Sequence, residues 1–280
     1  MSDTRTSARR RLILWVGLGV ILLWTLVPIV WMVLSSFKPA GDLVANPPKL
    51  TFTPTLDHYK TLFSSSGGNI GSYALHSIYA SGVSTVIAVA LGSLAGYGLS
   101  RSSFRGKDHV SFWIISTRMA PIAAAILPLF VIFRFLSLIG STWALIIAYL
   151  SFNLPFAIWI MNAFFSQLPP VLEEAALVDG ASRWQAFRKV ALPLTRPGLA
   201  TTAILCLVFS WNDYAFASTF SGPSSQTLPI AASQLVTQTS VDWGQLTAIG
   251  TLVVAPMVLV GLVVRKWLVT GLTLGAVSGE

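Results

Sequence analysis

Six charged residues fall between Glu173 and Lys189, in a 280-residue chain of which only 10% is charged. Their types and spacing suit docking rather than bond-making. Glu173 and Glu174 supply carboxylates for ion pairs, Ala175 and Ala176 allow close approach, and Gly180 permits a backbone reversal without a Cβ penalty. Bond-making chemistry has no comparable constellation. His58, His76 and His109 are scattered, and Cys206 is a single cysteine in an apolar run, so neither metal-ligand nor redox spacing is present. There is no G-x-S-x-G elbow and no G-x-x-x-x-G-K-S/T phosphate loop, so the chain is not expected to hydrolyse nucleotide by that route.

The elements that position these residues follow from local signals. Pro169-Pro170 suits a helix start, and Glu173 and Glu174 then sit in a first turn, where negative charge complements the helix dipole. Leu172, Ala175, Ala176 and Asp179 share one small-sided face at i, i+3, i+4, i+7 spacing. After Gly180, a second helix over about 182–190 carries Trp184, Phe187 and Val190 or Ala191 along one side. Leu192-Pro193 closes the unit. A helix-turn-helix entering a groove of another protein explains the acidic pair, the alanines and the glycine together. The alternative is a loop lying on anionic headgroups through Arg183, Arg188 and Lys189, an attraction weakened by the three acidic neighbours.

Around this stretch the chain is oily. It is 54% hydrophobic, with ten Trp and sixteen Phe and a mean hydropathy of +0.72. A soluble domain cannot cover that much apolar surface with so little charge, which predicts an integral membrane protein. Six spans are expected, at 12–37, 72–98, 109–133, 141–164, 198–220 and 246–268. The first is too long for the apolar region of a cleaved leader and follows Arg9, Arg10 and Arg11, so it reads as a retained span. Gly92 and Gly96 have the small-xxx-small spacing of close helix packing. Pro121, Pro128, Pro155 and Pro256 are expected inside spans, where neighbouring helices satisfy freed backbone groups.

Basic residues set the orientation. The N-terminal arginines, the Arg101, Arg105, Lys107 group, the Arg183, Arg188, Lys189, Arg196 group and the Arg265, Lys266 pair fall on one side of a six-span chain. That predicts cytoplasmic termini and a cytoplasmic 165–196 loop. The net charge of +8 therefore reports topology and not a nucleic-acid partner. Within the spans, Asp213 is placed toward the outer interface or facing a route through the membrane. Arg118 is placed in a structural pair or lining a cavity, and Arg134 as an interfacial anchor. Asn153, Trp211 and Asn212 join Asp213 as pathway candidates by depth and polarity.

The run Glu174-Ala175-Ala176, then Gly180, then Val190-Ala191-Leu192-Pro193 resembles the EAA motif of the membrane subunits of ABC importers, with Val190 where the family has Ile. Leu127-Pro128-Leu129-Phe130, Leu154-Pro155-Phe156, Trp211-Asn212-Asp213 and the tail Gly271-Leu272-Thr273 with Gly275-Ala276-Val277 resemble the carbohydrate branch, specifically the second permease of maltose-type importers. His76-Ser77 departs from the Asn-Ser of that branch. The resemblance covers most of residues 12–280. It implies an all-α membrane fold of six transmembrane helices, the type I importer permease fold, with a coupling helix seated in a cleft of the ATP-hydrolysing subunit. It also implies a homologous second permease, two ATPase subunits that bind ATP and Mg, an extracytoplasmic solute-binding protein and a sugar substrate. The chain itself would hold no cofactor and no metal, and it would sit in the inner or plasma membrane of a bacterial-type cell.

On this reading the site residues are Glu173, Glu174, Ala175, Ala176, Asp179, Gly180 and Arg183 for ATPase coupling. Gly271, Leu272, Thr273 and Gly275 form a tail reaching the ATPase interface. The expected organisation is a tail 1–11, a first span 12–37, an extracytoplasmic loop 38–71 with a short helix near 55–63, a five-helix core 72–268 containing the 165–196 loop, and a tail 269–280. Rival classes are a secondary transporter or channel acting alone, an ABC permease for amino acids or peptides, and, more distantly, a membrane-embedded enzyme. Mid-membrane carboxylates and inverted-repeat hydropathy, which a secondary transporter would show, are not visible.

Overall fold

The structure, a computed structural model, describes residues 3–64 and 69–276, with side chains over 10–64 and 69–263. The described residues form helices and no strand. In chain order these are α1 (Asp3–Ser35), α2 (Ala40–Leu43), α3 (Asp57–Phe63), α4 (Ile70–Arg101), α5 (Lys107–Met119), α6 (Ile122–Phe135) and α7 (Thr142–Ser166). There follow α8 (Val171–Val178), α9 (Arg183–Ala186), a π-helical turn (Phe187–Ala191), α10 (Leu192–Leu194), α11 (Arg196–Trp211), α12 (Ala215–Phe220), α13 (Leu228–Gln234) and α14 (Trp243–Ala276). Four continuous stretches are long and apolar enough to cross a bilayer: Arg10–Ser35, Ile70–Arg101, Thr142–Ser166 and Trp243–Val263. Two bent pairs bring the total to six if each pair is one crossing.

Among the described residues the bends fall between α5 and α6 (90°) and between Arg183–Leu194 and α11 (75°); the first of them, and a separate break after Trp211, correct two of the expected spans. The segment 109–133 is not one helix: α5 and α6 meet at 90°. Pro121 has no amide hydrogen and forces Ala120 into an extended conformation, ψ 137°, as a residue preceding proline prefers. Pro121 therefore breaks its span, whereas Pro128, Pro155 and Pro256 are carried inside α6, α7 and α14. The segment 198–220 is split as well. α11 ends at Trp211, and the Asp213 carboxylate accepts from the amides of Phe216 (3.5 Å) and Ala217 (3.1 Å), which starts α12 afresh.

The described residues fold as two units, one of residues 3–64 and 69 with 232–254, the other of residues 70–231 with 255–276. In the first, the end of α1 is tied to the following loop and α3. Ser36 Oγ lies 2.8 Å from Tyr59 Oη, and the buried Lys38 donates to the Lys49 carbonyl at 2.8 Å beneath the Trp31 ring. The expected short helix near 55–63 is α3.

In the second unit, α4 and α7 form the central pair. One face of α4 carries small residues at helical spacing, Ser77, Ala80, Ser81, Ser84, Ala88, Gly92 and Gly96, all buried. The helices approach so closely that a Cβ on Gly92 would lie 2.6 Å from Ala157 Cβ, and one on Gly96 would lie 2.7 Å from the Asn162 nitrogen. The Gly92–Gly96 spacing is thus a packing seam. Phe133, Leu145, Ile146, Tyr149, Phe216 and Phe220 build the main apolar core. A second cluster of Met161, Phe165, Phe187 and Ala191 joins α7 to the π turn.

Candidate functional site

The polar loop after α7 is built by consecutive local rules. Pro169 and Pro170 open α8, with the Glu173 and Glu174 amides both donating to the Pro170 carbonyl. The helix ends in a Schellman motif. The Gly180 amide donates to the Leu177 carbonyl at 3.1 Å and the Ala181 amide to the Ala176 carbonyl at 2.9 Å, with Gly180 at φ +87°. Gly180 is therefore the residue that reverses the chain. Ser182 then caps α9 through a reciprocal box: its Oγ accepts from the Gln185 amide, and Gln185 Oε1 accepts from the Ser182 amide.

The second helix departs from regularity in one place. The Leu192 amide reaches back five residues to the Phe187 carbonyl. This wide turn falls where Pro193 removes the donor for the Lys189 carbonyl and its ring crowds that carbonyl. Phe187 and Ala191 face inward against Met161 and Phe165. Trp184 stays largely exposed, its ring 5.3 Å from that of Phe187.

The surface of α8 divides sharply. Leu172, Glu174, Ala175 and Asp179 are exposed and Ala176 is half-buried, so the small-sided face is open. Val178 is 87% exposed. Arg183 and Glu174 border a cleft of about 600 Å³ that also includes Arg101 and Glu173. Glu173 sits at the inner side of that cleft and is only 7% exposed. Its Oε2 accepts from the Tyr97 hydroxyl at 2.6 Å, and its Oε1 accepts from Arg101 Nε at 2.9 Å and Nη2 at 2.7 Å.

A second feature lies where the two broken spans meet. Arg118, from the last turn of α5, and Asp213, from the break after α11, line a cavity of about 260 Å³ with Tyr149, Asn153, Phe209 and Ser210. The Arg118 guanidinium donates to the Phe152 carbonyl at 2.7 Å and lies 4.4 Å from the Phe209 ring centre, with Phe152 and Phe156 at 5.0 and 5.2 Å. Irregular backbone within a membrane-spanning segment is tolerated where it is enclosed by protein or lines a hydrated cavity.

Of the pathway candidates, Asn153 and Asp213 reach this cavity. Asn153 is 1% exposed and also braces the packing, donating to Ser210 Oγ at 2.7 Å and to the Cys206 carbonyl at 3.2 Å. Trp211 is buried away from the cavity, and Asn212 is exposed and bonded to its own helix at the Val208 carbonyl. Gly271, Leu272, Thr273 and Gly275 lie on the continuing backbone of α14, so the expected tail is helical to Ala276. The side chains of those tail residues lie outside the described residues. Sequence reasoning passed over Tyr97, Tyr149 and Ser210, and it counted Arg101 only as a topological charge. Nothing local to these residues marks them, because their partners are brought in by tertiary packing.

Two broken spans around a mainly apolar cavity that holds Arg118 and Asp213, and a helix-turn-helix offering an open small-residue face, have the form of a permease subunit. Residues 88–273 match the family described as the binding-protein-dependent transport system inner membrane component. The chain belongs to that family. It is 35% identical to the trehalose transport system permease protein SugB of Mycobacterium tuberculosis, over 96% of this chain and 99% of that one. It is 30% identical to the trehalose/maltose transport system permease protein MalG of Thermococcus litoralis, over 99% and 100%. A chain of a bacterial ABC transporter involved in the import of the acidic polysaccharide alginate has the same fold, with a TM-score of 0.77 at 22% identity, covering 94% of this chain and 98% of that one. The fold is thus that of type I importer permeases, and the chain is a multi-pass transmembrane subunit of a binding-protein-dependent ABC importer.

Proposed function

We propose that this subunit forms half of the route for a sugar and couples its passage to ATP hydrolysis in separate subunits. The carrying observation is α8, whose face of exposed Leu172, Ala175 and Asp179 and half-buried Ala176 ends at a left-handed Gly180. A flat, small-sided helix held by a fixed turn is suited to a cleft of an ATPase subunit, with Glu174 as the ion-pairing carboxylate. ATP and Mg belong to that subunit. ATP binding that favours one global state of the ATPase pair would drag α8 and switch the membrane helices, since only differential affinity shifts an equilibrium.

The charge pattern supports cytoplasmic termini and a cytoplasmic α8 in an inner or plasma membrane. A homologous second permease completes the route, and an extracytoplasmic solute-binding protein delivers the solute. The sugar assignment is supported by the relatives named for trehalose and maltose transport. It is also supported by a cavity that sets Arg118 donors and Asp213 and Tyr149 oxygens among the Phe152, Phe209 and Phe216 rings. A neutral ring with hydroxyl edges matches that mixture of faces. The tail at Gly271, Leu272, Thr273 and Gly275 is assigned to the ATPase interface.

Purification of the intact assembly from its native membrane tests this. The expected result is recovery of one ATPase type, one related permease and a binding protein, with hydrolysis stimulated by sugar-loaded binding protein. Ion-gradient-driven uptake by the purified chain alone would make it a secondary transporter instead.

A further inference from the structure

We propose that Arg101 and Tyr97 are positioning residues for coupling: through Glu173 they clasp α8 to the end of α4, so that the two helices move as one body. This rests on α8 being the helix that docks the ATPase. Glu173 and Glu174 are neighbours in sequence, but a helix sets successive side chains about 100° apart. One carboxylate therefore turns inward while the other stays free for a partner. The inward carboxylate meets three donors. Arg101 Nε and Nη2 both bind Oε1, and the Tyr97 hydroxyl binds Oε2. The Arg101 Nη2 also donates to the Leu168 carbonyl at 3.2 Å, in the turn between α7 and α8.

Three segments thus converge on one guanidinium: the end of α4, the α7–α8 turn and the first turn of α8. The Arg101 and Glu173 side chains are only 20% and 10% exposed, so solvent screens the pair weakly. Removing either partner strands the other charge, which makes the contact all-or-none rather than graded. Tyr97 is held in turn, its ring 5.4 Å from Phe165 and 4.7 Å from Phe187. Among the described residues no other side-chain hydrogen bond links α8 to a membrane helix, and most of α8 is exposed. The small-residue face of α4 packs directly on α7. A displacement of α8 therefore passes into the central helix pair through the clasp, rather than being absorbed by the loop.

The test uses Arg101→Gln, Glu173→Gln and the charge-exchanged pair Arg101→Glu with Glu173→Arg. In the purified permease, amide exchange over 171–181 should quicken about tenfold in each single variant, as expected for a lost charge-assisted bond network, while the α4 and α7 amides keep their protection. In the reconstituted importer, solute moved per ATP hydrolysed should fall in both single variants and recover in the exchanged pair. Unchanged exchange over 171–181 overturns the clasp, and so does accelerated exchange with an unchanged transport ratio. If instead α8 does not dock the ATPase, exchange still quickens but a cross-linker placed on Ala175 captures no ATPase, which locates the failure in the docking reading.

Discussion

Replacing Gly180 isolates the turn from everything around it. Its φ is +87°, and a Cβ built there meets nothing within 4 Å, so the cost of a side chain is conformational and not steric against a neighbour. A left-handed backbone costs an L-residue about 1–2 kcal/mol, which lowers the population of the native turn by a factor of about 5–30. The Gly180 and Ala181 amide bonds to Leu177 and Ala176 depend on that conformation, so the end of α8 frays with it. Asparagine tolerates the region better than other side-chain-bearing residues and a β-branched residue worst, giving the order Gly180→Asn, Gly180→Ala, Gly180→Val. The assay is solute uptake and ATP hydrolysis measured together in proteoliposomes. Uptake per ATP should fall along the series, by at least about fivefold for Val, while thermal unfolding of the membrane helices is unmoved. Undiminished uptake by Gly180→Val, or Asn as damaging as Val, would refute the reasoning.

Other expectations follow from packing. Gly96→Leu should destabilise the α4–α7 pair by about 1–3 kcal/mol or more through overpacking, seen as a lowered melting temperature in detergent; Gly98→Ala, where a Cβ meets nothing within 4 Å, should not. Asn153→Ala strips the amide donor from Ser210 and the Cys206 carbonyl and should cost about 1–3 kcal/mol in the same measurement. Arg118→Lys keeps the charge but loses the planar stack on Phe209, Phe152 and Phe156. It should raise the apparent KM for uptake more than it lowers the maximal rate, and an unchanged KM would remove Arg118 from the route.

The 165–196 loop was legible because each of its signals is local. Proline pair, acidic first turn and glycine stop are all satisfied within a few residues of backbone; the Ser182–Gln185 box is equally local but appears only in the structure. The long apolar helices were legible for a similar reason, since span length is a property of composition. Interruptions were not. Pro121 breaks its span, with Ala120 extended before it, whereas Pro128 and Pro155 are carried inside α6 and α7, and the residue type alone does not distinguish the two outcomes. Asp213 could be read as an interfacial charge; its role in restarting a helix needs the Phe216 and Ala217 amides to arrive at its carboxylate. The inward turn of Glu173 beside the exposed Glu174 was hidden too, because the partner of Glu173 is Arg101, on a different helix. The π turn at Phe187–Ala191 was hidden as well, and Trp184, expected on the same side as Phe187 and Ala191, is exposed while those two are buried.

The most direct test of the central claim is a cross-link from α8. Cys206 is the single cysteine of the chain and is buried, so an Ala175→Cys variant in a Cys206→Ala background offers one exposed thiol for a photo-activated cross-linker in native membranes. The account predicts an adduct between the 30.1 kDa chain and an ATPase subunit, whose yield changes when ATP is added. An assembly that still imports solute yet gives no ATPase adduct from Ala175 would contradict it.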